Sequence, residues 1–481
     1  MLTLDCILIR LKNMHKRQQQ TNQAMNFSQQ SGGKSPTSTK TNPTQNLRAS
    51  GLRTLLLAAG IASLCASCQS PQTPSATAPG SSPGSTPGSS PAASPVAVST
   101  PGDPNTVKIV SMLPMTGSAL GQSQTMVNGI KQALAESDSK ACDGKIKIEY
   151  EVLDDATAAA GKWDPSQVTS NSNKVAADGS VVAAIGHYNS GAAKLSIPVL
   201  NQANVVMVSP ANTYPGLTKP GKGEPKEPNV YYPAGTRNFT RVVPADDIQG
   251  TVAANWAKSL GVKKVYILDD QELYGKGVAD VFEATAKTAG IEVLGREGID
   301  IKASDYKALM NKIKALNPDL IYFGGTTQSN TGQIIKDMRN VGMTPDAVKF
   351  MAPDGIKDQA LIDAGGKDAE GVYATFGGLP PKELTGEGAK WYQSYKAKYN
   401  AEPEAYAAYA YESAKVIIGA INKVCKNDRA AIRDAVLATK DFNGVLGTWS
   451  FDANGDTSLT TMSGNVVKGG KWEFVSALKT E

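Results

Sequence analysis

From Thr106 onward, short β-branched and apolar runs alternate with stretches whose apolar positions recur every three or four residues. "VKIVSML" (107–113) predicts a strand, and the spacing of Met126, Ile130, Ala133 and Leu134 predicts a helix after it. "KIKIEYEVL" (145–153) alternates with period two, and the helical pattern that follows runs to Asp178. "SVVAAIG" (180–186) and "VVMVS" (205–209) are two more strands, separated by another helical stretch. After a Pro/Gly/Lys-rich loop, "LTKPGKGEPKEPN", the pattern restarts. It predicts helices over 248–260, 277–289, 304–316 and 330–341, interleaved with "KKVYILDD", "GIEVLG", "DLIYFGG", "VKFMAP" and "GVYATFGG". Such alternation predicts an α/β protein whose parallel sheets are covered by helices on both faces, and its coarse repetition predicts two similar lobes. The Tyr-rich stretch "PEAYAAYAYESAKVIIGAI" (403–421) repeats at helical spacing and reads as a core-facing helix.

The first hundred residues follow no such pattern. Residues 1–47 are polar; then "NLRASGLRTLLLAAGIASLCASCQS" joins Arg48 and Arg53 to an apolar run from Leu55 to Leu64 and a small-residue end. That is the layout of a secretory signal peptide. The run is too short to cross a bilayer comfortably. Cys68 follows Ala66 and Ser67, as the acylated cysteine of a bacterial lipoprotein would, so residues 1–68 are expected to be leader and signal peptide. Residues 69–104 are rich in Ser, Pro and Gly, cannot bury enough apolar surface to fold, and are expected to be a disordered tether. A G-x-S-x-G match at Gly80–Gly84 has neither a strand before it nor a helix after it, so it signals no esterase nucleophile.

At 481 residues the chain has room for two cores, and 41% hydrophobic with 19% charged residues is ordinary for a globular protein. A net charge of +5, with basic and acidic residues interleaved, argues against nucleic acid as a partner. His15 and His187 are the two histidines, which leaves no basis for a histidine metal site; neither metal nor cofactor is expected.

In open α/β sheets ligands bind beyond the carboxyl ends of the strands. The segments there are "PMTGSALGQSQ", "GHYNSG", "SPANT", "DDQELYGKG", "GGTTQSN" and "APDG". They hold no paired nucleophile and base, no phosphate loop and no dinucleotide fingerprint, since "YGKGVAD" places Asp280 where the third glycine belongs. Hydroxyls, glycines, two aromatic rings and a carboxylate suit holding a ligand rather than transforming it, so no enzyme is expected.

Together "GHYNSGAA", "MVSPANT", "LYGKGVAD", "YFGGTTQS" and "FMAPDGI" resemble, in order and spacing, the leucine/isoleucine/valine-binding proteins of ABC importers. The resemblance implies the type I periplasmic binding protein fold, two doubly wound α/β lobes joined by three hinge crossovers near 243–245, 374–377 and 447–451. One lobe would comprise 107–243 plus 377–447, the other 245–374 plus 450–481. The implied ligand is a free neutral or branched-chain amino acid, delivered by hinge closure to ABC permease subunits in the membrane. The implied protein is a monomer, lipid-anchored in the periplasm or at the outer face of the cytoplasmic membrane.

By the resemblance, Ser190, Ala211 and Thr213 bind the ligand's carboxylate and amino group, with Ser190 at a helix N-terminus that favours an anion. Asp354 is the counter-charge for the ammonium, and Tyr274 lays its ring on the ligand. Gln122 and Thr326 stand where leucine-type proteins carry aromatic residues, with Leu120 and Tyr188 nearby, which makes the pocket less apolar. Broad neutral amino-acid binding, urea or short amides, and a ligand sensor of the same fold remain open beside strict branched-chain transport. Pro198 should kink or end the helix begun at Ser190. His187 reads as structural, and "FDANGD" (451–456) as a hairpin turn rather than a calcium loop. Cys142 and Cys425 both fall in the first lobe; a disulfide suits export, separate thiols are the alternative, and a Cα separation above about 7 Å would exclude the bond.

Overall fold

The computed structural model describes residues 103–479. Cys68, the signal peptide and all but the last residues of the tether lie outside them. Among the described residues no helix is long and apolar enough to cross a membrane.

Two sheets carry the fold. The first contains β1 (Thr106–Leu113), β2 (Lys140–Ala141), β3 (Ile146–Asp154), β4 (Val181–Gly186), β5 (Val206–Ser209) and β6 (Phe239–Arg241), in the order β2-β3-β1-β4-β5-β6. All its pairings are parallel except that of the two-residue β2. Every residue of β4 is buried, because helices cover both faces of a central parallel strand.

The second sheet contains β7 (Lys264–Asp269), β8 (Glu292–Gly298), β9 (Leu320–Gly324), β10 (Lys349–Ala352) and β11 (Val372–Gly377). A two-stranded ribbon, β12 (Phe442–Gly444) and β13 (Gly447–Trp449), intervenes before β14 (Met462–Lys468) and β15 (Lys471–Leu478) complete the order β15-β14-β11-β10-β9-β7-β8. The last two strands run antiparallel, a departure from the purely parallel sheets that the alternation predicts. The sequence of β15 explains it: its side chains alternate between exposed and half-buried, as an edge strand with one wet face requires.

Helices α1 (Leu120–Ala135), α2 (Pro165–Ala177) and α3 (Ser190–Gln202) connect the strands of the first sheet. Helices α4 (Asp246–Ser259), α5 (Leu273–Thr288), α6 (Lys307–Ala315), α7 (Thr331–Asn340) and α8 (Gln359–Gly365) belong to the second. Then α9 (Glu387–Tyr399), α10 (Ala407–Val424) and α11 (Arg429–Leu437) return to the first core, where Tyr395, Ile417 and Ile432 pack with Ile109 and Ile130. Helix α10 lies so close to α1 that a Cβ on Gly129 would stand 2.4 Å from the Ala407 carbonyl oxygen.

The chain leaves the first sheet after Arg241 and the second after Gly377, but its last return comes later than the expected 447–451. Trp449 and Phe451 are buried in the first core, and Asp456 forms an ion pair of 2.6 Å with the fully buried Arg241. Aromatic burial and that ion pair therefore hold the segment against the first sheet until it joins the second at Met462.

Cys142 and Cys425 are bonded, with a Cα separation of 5.6 Å, tying the end of the first helical layer to the end of α10. Helix α3 does not end at Pro198 but continues to Gln202, because Ile197 and Leu200 are both fully buried and keep the segment packed. In "FDANGD" the Asp452 carboxylate accepts from the backbone of Asn454 and Asp456, and Phe451 bridges Thr457, as in a hairpin turn. His187 is fully buried between Asp155 and Ser196, each 2.6 Å from a ring nitrogen.

Candidate functional site: a cleft between two sets of strand ends

Parallel strands present all their carboxyl ends on one side, so loops of quite different sequence position meet there. Those after β4 and β5 face those after β7, β9 and β10 across a narrow cleft with two adjoining cavities, which share Asn189, Tyr274 and Thr326. The smaller is walled by Tyr188, Ala211, Asp354, Gly355 and Tyr406 as well. The larger continues past Ser190 and Gly191 to Lys162, Asp270 and Glu272.

The two sides are held together. Lys162 reaches Glu272 at 2.5 Å, Asn189 donates to Gln328 at 3.0 Å, and Tyr188 donates to the Gly355 carbonyl at 3.5 Å. The Tyr406 hydroxyl, at the entrance to α10, donates to Asp354. Asp354 accepts from Tyr274 at 2.5 Å as well, and Tyr274 in turn accepts from the Gly355 amide at 3.0 Å. Burial pushes the Asp354 carboxyl above its ordinary range, opposed by those phenolic hydrogen bonds. Burial and the same carboxylate hold the Tyr274 and Tyr406 hydroxyls well above theirs.

Six of the eight residues expected to touch a ligand line these cavities: Ser190, Ala211, Tyr274, Asp354, Tyr188 and Thr326. Ser190 opens α3 and accepts from the Tyr214 amide at 3.4 Å. Thr213 lies outside the lining but is buried, its hydroxyl near the Asp246 carboxylate. Gln122 lies beneath the cleft, where its side-chain oxygen accepts from the Tyr406 amide at 3.3 Å; its amide nitrogen is buried without a partner. Leu120, 44% exposed at the start of α1, is on the surface rather than in the pocket.

Three groups escape the sequence reading. Tyr406 is hidden in the Tyr-rich repeat, whose other tyrosines serve the core. Asp270 is buried beside Thr326, and burial raises its carboxyl to about 7, although Ser329 donates to it at 2.6 Å. Asp246, the first residue of α4, is fully buried, and the Thr213 hydroxyl is the one side chain that offers it a hydrogen bond among the described residues. Burial, and after it the negative charge of Asp354, pushes it well above the ordinary range. The nearby Arg241 guanidinium does not answer it, being committed to Asp456 and to the carbonyls of Asn212 and Tyr214. Two acidic groups thus share a buried volume with no basic side chain paired to either. An N-terminal DD before a helical run looks like helix capping, which is why Asp246 carries no sequence signal of its own.

A family model described as a periplasmic binding protein matches residues 106–471, and the chain belongs to that family. The Leu/Ile/Val-binding protein homolog 2 of Brucella abortus (strain 2308) is 31% identical over 348 residues, 72% of this chain and 86% of that protein. The leucine-, isoleucine-, valine-, threonine- and alanine-binding protein of Pseudomonas aeruginosa is 27% identical over 354 residues, 73% and 87% of the two chains. Among solved structures, a leucine binding protein of Thermotoga maritima superposes with a TM-score of 0.68 at 27% identity, covering 78% of this chain and 99% of that one. A branched-chain amino acid transporter substrate binding protein of Streptococcus pneumoniae, solved with isoleucine, shares the fold at a TM-score of 0.66 and 24% identity, covering 78% of this chain and 99% of its own.

Proposed function

We propose that the chain is the extracytoplasmic substrate-binding component of an ABC importer, taking up a neutral or branched-chain amino acid and handing it to the permease. The observation that carries this reading is the acidic pair Asp246 and Asp354, buried without a basic partner, opposite the helix N-terminus at Ser190. An anion is favoured at one end of the cleft and a cation at the other, which is the charge pattern of a zwitterion. Ser190, Ala211 and Thr213 would hold the carboxylate; Asp354, with Asp246 behind it, the ammonium; Tyr274 and Tyr406 the aliphatic body.

Capture works by closure. The lobes around the two sheets rotate about their connecting segments, and a ligand touching both favours the closed form that the permease recognises. Cys68 would carry the lipid and residues 69–104 would leash a monomeric receptor outside the membrane.

A second reading concerns the side chain. Lys162, Asp270 and Glu272 make the larger cavity polar, which favours an amino acid with a short polar side chain, or an amide, over strict leucine selectivity. Mass spectrometry of small molecules released from the denatured protein, followed by calorimetry with each one found, tests both. Recovery and binding of amino acids is the expected result; a ligand without an ammonium group overturns the assignment.

A further inference from the structure

Beyond the Asp354–Ile356 turn, a solvent-open hollow lies between the two halves of the molecule. One wall is Tyr392 of α9 with Pro403 and Ala405; the other is Lys357 and Trp472. Lys357 is only 7% exposed, yet its ammonium makes no hydrogen bond or ion pair among the described residues, and its close neighbour is the Phe376 ring at 5.2 Å. The nearest carboxylates, Glu404 and Asp358, support its charge against burial without forming an ion pair with it. Asp358 accepts from the Thr327 hydroxyl and the Leu361 amide, Glu404 from the Gln359 amide, and Glu402 pairs with Lys396. Lys382 and Lys471, exposed on the rim, have no ion pair either.

A buried ammonium is costly unless an anion answers it. Here Lys357 opens into the hollow with Lys382 and Lys471 on its rim, above a floor of prolines and aromatic rings, and neither Glu402 nor Glu404, which also line it, forms an ion pair with Lys357. We propose that this hollow is a second ligand site, which takes a small carboxylate carrying an apolar body and holds it on the Lys357 ammonium. Burial already pulls that ammonium down to about 8, so an arriving carboxylate would also stabilise its charge. Because the walls come from both halves, the bound molecule bridges them at a point separate from the amino-acid cleft. The proposal does not depend on which amino acid the cleft binds.

Calorimetry with octanoate, acetate and octanamide tests it on the wild-type chain, on Lys357→Met and on the double rim variant Lys382→Ala/Lys471→Ala. Octanoate should bind the wild type, and acetate and octanamide about tenfold more weakly or worse. Lys357→Met should lose about tenfold or more in octanoate affinity, and the rim variant about two- to fivefold. Saturating the cleft with the amino acid recovered from the protein should leave octanoate bound, because the two would occupy different cavities. The proposal falls if octanoate does not bind, if it binds all three proteins alike, or if the recovered amino acid displaces it competitively. Should Lys357→Met fail to fold, the exposed rim variant decides alone, and unchanged octanoate affinity in it overturns the site.

Discussion

Replacing Asp354 by asparagine removes one negative charge from the cleft while keeping an oxygen to accept from Tyr274. An ammonium about 4 Å from a carboxylate gains about 4 kcal/mol at an effective dielectric constant of about 20. Asp246, buried near it and free of any ion pair, is positioned to recover part of that loss. The net cost of Asp354→Asn to amino-acid binding is therefore about 2–3 kcal/mol, or roughly 30- to 150-fold in affinity. Asp246→Asn should cost about the same, and the double variant more than the two single losses combined, because no carboxylate then remains. Titration calorimetry with the ligand recovered from the protein reads all three. A change of less than about twofold in Asp354→Asn would refute the charge-pairing argument, and tighter binding would point to a neutral ligand that had been forced to share its site with buried acid.

The same pair sets a pH dependence. Burial raises both carboxyls in the empty cleft, whereas a bound ammonium lowers them, so affinity should rise with pH through the raised values and level off above them, with proton release on binding detectable in buffers of different ionisation enthalpy. Stability without ligand should run the other way. Glu412 is raised from 4.5 to about 7 and Asp270 from 3.8 to about 7, both by burial, so the folded state binds more protons than the unfolded one across that window, and the melting temperature should fall between about pH 5 and 8. Lys162→Ala removes a half-buried ion pair across the cleft and should weaken ligand binding by about 1 kcal/mol or less while shifting small-angle scattering profiles toward the open form. The double variant Cys142→Ser/Cys425→Ser should lose about 2–4 kcal/mol in denaturant unfolding, because the bond joins residues 283 positions apart.

Much of the architecture was legible because periodicity is a local property: the runs at 107–113, 180–186 and 319–325 are strands for the reason their composition suggests, continuous apolar burial beneath two layers of helix. What escaped was non-local. The antiparallel strands β14 and β15 have no parallel-sheet signature, and the late return of the chain depends on Arg241 meeting Asp456, 215 residues apart. In the site, Ser190, Tyr274 and Asp354 stood out because they follow strands in motif-like loops. Tyr406 and Asp246 did not, since one is a tyrosine among tyrosines and the other an acid at an ordinary helix start. Gln122 shows the converse: its position in a strand-end loop placed it in the pocket, whereas packing turns it under Tyr406.

The buried Arg241–Asp456 contact joins two of the segments that run between the sheets, where the proposed hinge would lie. Two rods clamped side by side can twist together but cannot slip lengthwise. The molecule should therefore swing like a door on a fixed pin, sweeping its lips through the widest arc and its pivot through almost none. A pair of fluorophores fixed on the two lips would report each swing, and the same pair set beside the pivot would stay silent.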